Sequence, residues 1–337
     1  MEVKKFVLRN IPERNKAWPK VGVVVLNWNR WNYTLECLES LNQSKYSNLS
    51  VIVIDNGSTD DSVNKIEAWI KRQPFYDRFL LIKNQENLGF AAGCNIGIRH
   101  AISSGCQYIF LLNNDAIVHP NCLSALITNV EKHDRVGIAG PKVYYADNPQ
   151  VIWFAGGKSS LLRSGGVPFG QGEQDSGQYD TIKQVTFITG AAMLIKREVF
   201  YEVGLLDERF FFGKEDYDFC RRALNKGFHL LYVPDAIVWH KVGGTRSNGP
   251  IGVYLGYKTN IIFMKKHLPW PIWFCWFWLY AIYIVAVRPY MCEEFKIPSS
   301  IFRKAVLLAL KEGLFDTKVT REDLKRAEMM LCSGMNI

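Results

Sequence analysis

The sequence lacks features that mark several common classes of protein. Its eight cysteines include no CxxC pair, which argues against a structural zinc site and favours free thiols in a reducing compartment. We expect no signal peptide, because residues 1–20 are polar and charged. There is no internal repeat and no low-complexity tract. The net charge of +9 is not gathered into long basic runs, so nucleic acid is not an expected partner.

Apolar runs alternate with helical patterns four times in the first part of the chain. The expected strands cover residues 21–26, 51–54, 79–82 and 108–112, and a helix follows each of them. Thr34 is the expected N-cap of the first helix. This alternation predicts an α/β fold with a doubly wound, mostly parallel sheet.

The rhythm changes after about residue 140. Residues 142–186 predict irregular loops and short antiparallel strands, and a strand at 185–195 is broken at Thr189–Ala191. The last strand is expected at 228–233. We divide the chain into a leader (1–19), an α/β half (20–140), a second half of the same domain (141–260) and a C-terminal extension (261–337). Two amphipathic helices are expected after Ser299, with Thr320 capping the second.

Residues 268–291 are almost wholly apolar and rich in Trp and Tyr. The uncharged part, 268–287, is close to the ~20 residues that a membrane-spanning helix needs, but two early prolines shorten it. Aromatic residues are also typical of the membrane interface. Three alternatives stay open for 265–290: a transmembrane or re-entrant helix, an element lying on the membrane surface, and a homodimer contact.

Polar residues follow each predicted strand, at Asn27, Asp55, Asn87–Gly89 and Asp115. These ends should meet in one crevice, where open α/β sheets bind ligands. Asp115 is placed to hold a divalent cation beside a phosphate; the alternative is a turn that only stops the strand.

The loops beside these strand ends offer further candidates for ligand binding. Asp55 is suited to accept the imide N–H of uracil or thymine, unless it only caps its loop. Gly57 and Ser58 would let the backbone approach a nucleoside. The Gly-rich run at 89–97 opens a helix whose free N–H groups favour an anion.

A second acidic cluster is Glu215-Asp216-Tyr217-Asp218. Paired carboxylates raise a pKa, which suits Asp216 to act as a general base; the alternative is a favourable interaction with the helix dipole. Asp218 is expected to pair with Arg222 at i, i+4. His240 is a candidate metal ligand or a structural histidine. Lys241, Thr245 and Arg246 are candidates to close over a diphosphate.

Seven segments in order resemble the family-2 glycosyltransferases of the GT-A fold, in particular their rhamnosyltransferase-like branch. They are residues 23–29, 51–60, 87–97, 110–116, 187–200, 204–222 and 233–245. The resemblance implies a metal-dependent, inverting hexosyltransferase that uses a nucleotide-diphosphate sugar, dTDP-rhamnose or a UDP-sugar. It also implies a divalent cation, Mn²⁺ or Mg²⁺, as cofactor.

The resemblance also assigns roles to individual residues. Asp216 looks like the general base with Glu215 beside it, while Asp115 and His240 look like metal ligands. The nucleotide-sugar set is Asn27, Asp55, Gly57, Ser58, Asn87, Gly89, Asn95, Asn113, Asn114, Gly190 and Ala191. Trp153 and Phe154 are expected to stack on the acceptor sugar or to lie in the core. Asn113 replaces the first aspartate of the family's DxD motif, so one carboxylate and one imidazole would hold the metal.

The expected acceptor is a glycan under assembly on a membrane lipid, in cell-surface polysaccharide synthesis. The enzyme would then lie at the cytoplasmic face of the membrane, peripheral or anchored by one segment. Two alternatives remain: a membrane-tethered scaffold without turnover, and a nucleotidyltransferase. The second is disfavoured because the loop after the first strand is not the Gly-rich basic loop that nucleotidyl transfer normally needs.

Overall fold

The computed structural model describes residues 18–133, 135–160, 165–242, 249–286 and 297–332. Most of the expected leader therefore lies outside the described residues, and so do Thr245 and Arg246. The strands are β1 (Val21–Asn27), β2 (Leu49–Asp55), β3 (Phe79–Lys83), β4 (Tyr108–Asn113), β5 (Ala116–Val118), β6 (Val136–Tyr145), β7 (Asn148–Phe154), β8 (Gly157–Ser160), β9 (Gly165–Pro168), β10 (Lys183–Val185), β11 (Ala192–Lys196) and β12 (His229–His240).

Ten helices of the described chain surround these strands. They are α1 (Trp31–Asn42), α2 (Ser62–Lys71), α3 (Phe90–Ser103), α4 (Cys122–Glu131), α5 (Arg197–Val203), α6 (Glu215–Asn225), α7 (Pro250–His267), α8 (Trp270–Ala286), α9 (Ser299–Phe315) and α10 (Arg321–Cys332). A short 3-10 helix covers Tyr76–Arg78.

Ten of the strands form one mixed sheet in the order β3-β2-β1-β4-β11-β6-β12-β10, with β5 beside β12 and β7 beside β6. The four strands from β3 to β4 are parallel, and β11 runs antiparallel between β4 and β6. β1 is buried on both faces, as expected for a strand covered by helices on each side. The predicted α/β class and the mostly parallel first half are confirmed.

Two local predictions were wrong. Helix α1 begins at Trp31, after Asn29 and Arg30 turn the chain with φ of 56° and 65°, so Thr34 lies inside the helix and is not its cap. The last strand does not stop at Val233 but continues as β12 to His240. An irregular register between Val233 and Ile237 accommodates Pro234, which has no N–H to donate to the ladder.

The C-terminal helices form a second core of their own. Lys258 of α7 is completely buried and pairs with Glu312, Asp316 and Asp323 at 2.8, 2.7 and 3.1 Å. This acidic trio already holds an ammonium group, so a structural ion-pair network explains it better than a metal site. The predicted cap of α10 is confirmed, because the Asp323 N–H donates to Thr320 Oγ1.

Helix α8 buries only Trp273, Phe277 and Ile284. Trp276 and Tyr280 are partly buried, and most of its other large apolar side chains are exposed, to 71% at Trp270 and 70% at Leu279. A contiguous apolar face of this kind is typical of a binding surface. In the part of the chain that the structure describes, no helix combines the length and apolarity needed to cross a bilayer.

Candidate active site

The carboxyl ends of β1, β2 and β4 meet in one hydrogen-bonded chain. The parallel register places Asn27 beside Asp55, and the Asn27 amide donates to Asp55 Oδ2 at 2.7 Å. The Thr34 hydroxyl donates to Asn27 Oδ1 at 2.6 Å and accepts from the Asn114 amide at 3.0 Å. The strand ends therefore converge as predicted. Thr34, which the sequence suggested only as a cap, is the link between them.

Asp55 is almost fully buried, and its carboxylate is well satisfied by the protein. Besides Asn27, it accepts hydrogen bonds from the Ser58 N–H at 3.0 Å and from the Ser58 hydroxyl at 2.7 Å. These contacts hold the loop after β2 in place. The sequence left this capping role open as the alternative to base recognition. Recognition of a base by Asp55 remains a prediction.

Gly57 is required by the packing of two loops against each other. Its φ is +71°, and a Cβ here would lie 2.4 Å from the backbone of Glu86. The neighbouring Asn56 amide reaches the same loop, donating to Asn87 Oδ1 at 2.9 Å. The loops after β2 and β3 thus form one rigid rim of the crevice.

The start of α3 is partly occupied by protein contacts. Gly89 has a φ of +87°, and the Phe90 N–H donates to the Phe211 carbonyl at 2.7 Å. That N–H is therefore not available to an anion. The buried Asn95 amide is engaged as well, with Leu206 and Glu208. Asn95 has a structural role here, and its predicted part in sugar binding has no support in the geometry.

Asp115 and His240 face each other in a buried pair. Strand β5 pairs antiparallel with β12, so that His240 lies opposite Ala116, next to Asp115 in the chain. The distance from Asp115 Oδ1 to His240 Nε2 is 3.0 Å, and Asn113 Nδ2 lies 3.4 Å from the same nitrogen. The strand pairing thus joins residues that are far apart in the sequence.

This donor set fits a divalent cation. Two adjacent ligands of an octahedral ion, each about 2.1 Å from it, are about 3.0 Å apart, which is the separation seen here. The buried His240 Nδ1 makes no hydrogen bond within the described part of the chain. Without a metal, the Asp115 carboxylate accepts the Nε2 proton; with a cation between the two atoms, Nδ1 would carry the proton of the neutral imidazole and Nε2 would present its lone pair to the metal.

Trp153 lies beside this pair, and Phe154 lies in the core. The Trp153 ring meets the His240 imidazole edge-on, with centroids 4.5 Å apart at 66°. Phe154 is buried against Phe187, with centroids 5.6 Å apart. The core alternative therefore holds for Phe154, whereas the partly exposed Trp153 keeps its place as an acceptor candidate.

The Gly190-Ala191 segment joins Asp216 to the Asp115–His240 pair. The Gly190 N–H donates to Asp216 Oδ2 at 3.0 Å, and the Asn113 N–H donates to the Ala191 carbonyl at 3.0 Å. Asp216 Oδ1 accepts from the Tyr217 N–H at 2.8 Å. The candidate base and the candidate metal ligands thus lie along one connected edge.

Glu215 and Asp216 titrate abnormally because they are close together and poorly solvated. Burial, and then the negative charge of Asp216, raise the pKa of Glu215 to about 8. Burial also raises the pKa of Asp216, although the N–H groups of Gly190 and Tyr217 oppose this. Glu215 Oε2 has no hydrogen-bond partner in the described structure. Glu215 therefore keeps its proton near neutral pH, and Asp216 is the carboxylate that ionises first.

Asp218 is structural, as the sequence suggested. It pairs with Arg222 at 2.7 Å. It also receives His267 at 2.8 Å and Lys266 at 2.5 Å, both from the end of α7. Sequence reasoning missed these two residues, and no local pattern in the sequence points to them.

Comparison with known proteins adds the family and the fold. A family model described as Glycosyl transferase family 2 matches residues 22–204. An N-acetylglucosaminyl-diphospho-decaprenol L-rhamnosyltransferase of Mycobacterium tuberculosis is 26% identical over 268 residues, 74% of this chain and 85% of the relative. A dTDP-rhamnosyl transferase, RfbF, of Shigella flexneri is 26% identical over 250 residues, 71% of this chain and 79% of the relative.

Two solved structures share the fold at 17% identity. One is mannosyltransferase PcManGT from Pyrobaculum calidifontis in complex with GDP-Man and Mn²⁺, with a TM-score of 0.55 over 98% of this chain and 83% of that chain. The other is GalNAc-T7 with UDP, GalNAc and Mn²⁺, with a TM-score of 0.60 over 86% of this chain and 55% of that chain. These likenesses confirm the predicted GT-A fold.

Proposed function

The chain belongs to glycosyl transferase family 2, and on that premise we propose that it moves a sugar from a nucleotide-diphosphate sugar to a hydroxyl of a growing, lipid-linked glycan. Rhamnosyltransferases among its relatives favour dTDP-rhamnose over a UDP-sugar as the donor. The observation that carries the proposal is the connection of Asp216, through Gly190-Ala191 and Asn113, to the Asp115–His240 pair.

Asp115 and His240 would hold a divalent cation against the donor diphosphate. Mn²⁺ is present in each of the two solved structures described above, and an imidazole ligand suits Mn²⁺ better than Mg²⁺. The cation would offset the negative charge that grows on the departing diphosphate. The rim around Asp55, Ser58 and Asn87 would receive the nucleoside, and Asn114 with Gly190 and Ala191 would border the sugar.

Asp216 would act as the general base. Its carboxylate takes the proton of the acceptor hydroxyl, and the acceptor oxygen forms a bond to the anomeric carbon. The bond from that carbon to the diphosphate oxygen breaks, and the nucleoside diphosphate leaves with the electron pair. One displacement inverts the anomeric configuration. Because Glu215 is neutral, the negative charge of the pair lies on Asp216, which is the residue that accepts the proton.

The acceptor and the membrane are proposed on separate grounds. The mycobacterial relative is named for a diphospho-decaprenol substrate, so a lipid-linked acceptor fits the family. The apolar face of α8, with Trp270, Trp278 and Tyr283 exposed, is suited to lie at a membrane interface. We therefore propose that the enzyme lies at a membrane surface, on the cytoplasmic face that the family resemblance implies. Recovery of intact protein wholly in the soluble fraction at low salt, as a dimer, would favour the homodimer contact instead.

A donor screen tests the function. Hydrolysis and transfer are measured across UDP-, GDP- and dTDP-sugars with Mn²⁺ or Mg²⁺, using calorimetry for donor binding. We expect one nucleotide to bind only with the metal present and its sugar to be turned over. Binding without turnover for every sugar of that nucleotide would support the scaffold, and no binding at all would reject the donor site.

A further inference from the structure

The end of α7 clamps the first turn of the helix that carries the proposed base. We call Asp218, Lys266 and His267 the α6–α7 clamp. Asp218 Oδ1 accepts from Lys266 Nζ at 2.5 Å and from His267 Nε2 at 2.8 Å, and the Asp218 side chain is 0% exposed. Lys266 also reaches Asp207 at 2.6 Å. The clamp therefore joins α7, α6 and the loop before α6.

The clamp holds the first turn of α6, a role that a side-chain N-cap plays in many helices. Helix α6 has no side-chain N-cap, and its first turn follows Gly213 and Lys214, whose φ angles are 85° and 77°. Without a cap, the first turn of a helix frays readily. The buried contacts of Asp218 attach this turn to α7, beside the Gly190 N–H bond to Asp216 and the stacking of Tyr217 on Phe187, and they lie two residues from Asp216.

The charges of the clamp are balanced by several elements. Asp218 faces Lys266 and His267 from α7, and Arg222 from its own helix at 2.7 Å. Arg222 also donates to the carbonyls of Val203 and Leu205, so it ties the end of α5 to the same group. Asp207 supplies a second carboxylate to Lys266 and accepts from Arg209. Replacing Lys266 by a neutral residue therefore removes a cation that Asp207 and Asp218 share.

We propose that the α6–α7 clamp positions Asp216 for proton abstraction, so that the C-terminal helices are required for catalysis without touching the substrate. Lys266 and His267 are positioning residues in this proposal, which rests on the proposed function of Asp216. A displacement of a reacting group by about 1 Å can cost about 100-fold in rate. The affinity for the donor depends on the residues at the carboxyl ends of the strands, so it should not change when the clamp is altered.

The test compares Lys266→Met and His267→Gln with Lys266→Arg in the full chain. Lys311→Met is the control, because Lys311 is an exposed lysine of α9 with no role in the site. Measured quantities are kcat, the KM and Kd for the donor with Mn²⁺, and the melting temperature. We expect Lys266→Met and His267→Gln to lower kcat by about 10- to 100-fold. The donor Kd should stay within about twofold, and Lys266→Arg, which keeps the positive charge, should recover part of the kcat that Lys266→Met loses.

The outcomes separate the clamp from the proposed function. Wild-type kcat in both clamp variants, while Asp216→Asn is inactive, would overturn the clamp and leave the function standing. A loss of kcat that only matches the loss of folded protein, or that Lys266→Arg fails to recover, would also overturn it. Absence of turnover in the wild type would overturn both.

Discussion

Replacing Glu215 by glutamine tests the electrostatics of the proposed base pair. In the wild type, burial and the Asp216 charge raise the pKa of Glu215 from 4.5 to about 8. A carboxyl group with a raised pKa in the fold stabilises the protein at low pH. That stability is lost as pH rises, because ionisation is easier in the unfolded chain. Glutamine cannot ionise, so the variant should lack this contribution to the pH dependence of stability.

The size of the effect follows from the same pKa. One pKa unit corresponds to about 1.4 kcal/mol, so ionisation linkage should cost the wild type on the order of 3–4 kcal/mol more at pH 8 than at pH 5. For a chain of this length that is roughly 4–5 °C in Tm. The buried amide has a cost of its own: its unpaired N–H groups should destabilise the fold by about 1–3 kcal/mol, but equally at both pH values. The informative quantity is therefore the change with pH in the Tm difference between Glu215→Gln and wild type.

The assay is thermal unfolding of wild type and Glu215→Gln at pH 5, 6, 7 and 8. We expect the Glu215→Gln variant to gain stability relative to wild type by several degrees between pH 5 and pH 8. A Tm difference that stays constant over this range would refute the raised pKa of Glu215. It would also remove the reason for placing the negative charge on Asp216.

Three further predictions address the metal, the loop rim and the base. His240→Gln should weaken donor binding in the presence of Mn²⁺ by at least about tenfold, whereas His100→Gln should not; equal donor Kd values in the two variants would contradict the metal assignment. Gly57→Ala should destabilise the protein by more than about 2 kcal/mol, since its Cβ meets the Glu86 backbone at 2.4 Å as well as straining φ. Gly172→Ala, with a φ of +80° and no atom within 4 Å, is the strain-only control for Tm, and an equal loss there would show that the contact with Glu86 is unimportant. Gly190→Ala should lower kcat with little change in Tm, because the added Cβ lies 3.3 Å from Asp216 Cβ; an unchanged kcat would mean that the added methyl does not displace Asp216, or that the position of Asp216 does not limit the rate.

The first half of the fold could be predicted because its signals are local. Each strand from β1 to β4 is a short apolar run that ends in a polar turn, and each following helix has its own periodicity. Gly204 and Gly227, with φ of 81° and 82°, lie just beyond the ends of α5 and α6, and glycine in this position is a local stop signal for a helix. The convergence of Asn27 and Asp55 followed from the parallel register.

The remaining features depend on contacts between distant segments. Asp115 and His240 are neighbours only because β5 pairs with β12, and Pro234 hid the continuity of β12 in the sequence. Lys266 and His267 reach Asp218 across 48 and 49 residues, and nothing near them in the sequence marks that contact. Thr34 was misassigned because a threonine near a helix start resembles a cap, whereas its hydroxyl serves the strand ends.

The most direct test of the account is single-turnover glycosyl transfer by wild type and Asp216→Asn, with Mn²⁺, the donor found in the screen and a polyprenyl-diphosphate-linked acceptor. Calorimetry with the same donor checks that both proteins bind it. The account predicts that Asp216→Asn binds the donor as wild type does and transfers its sugar at least about 100-fold more slowly. Transfer by Asp216→Asn at the wild-type rate would contradict it.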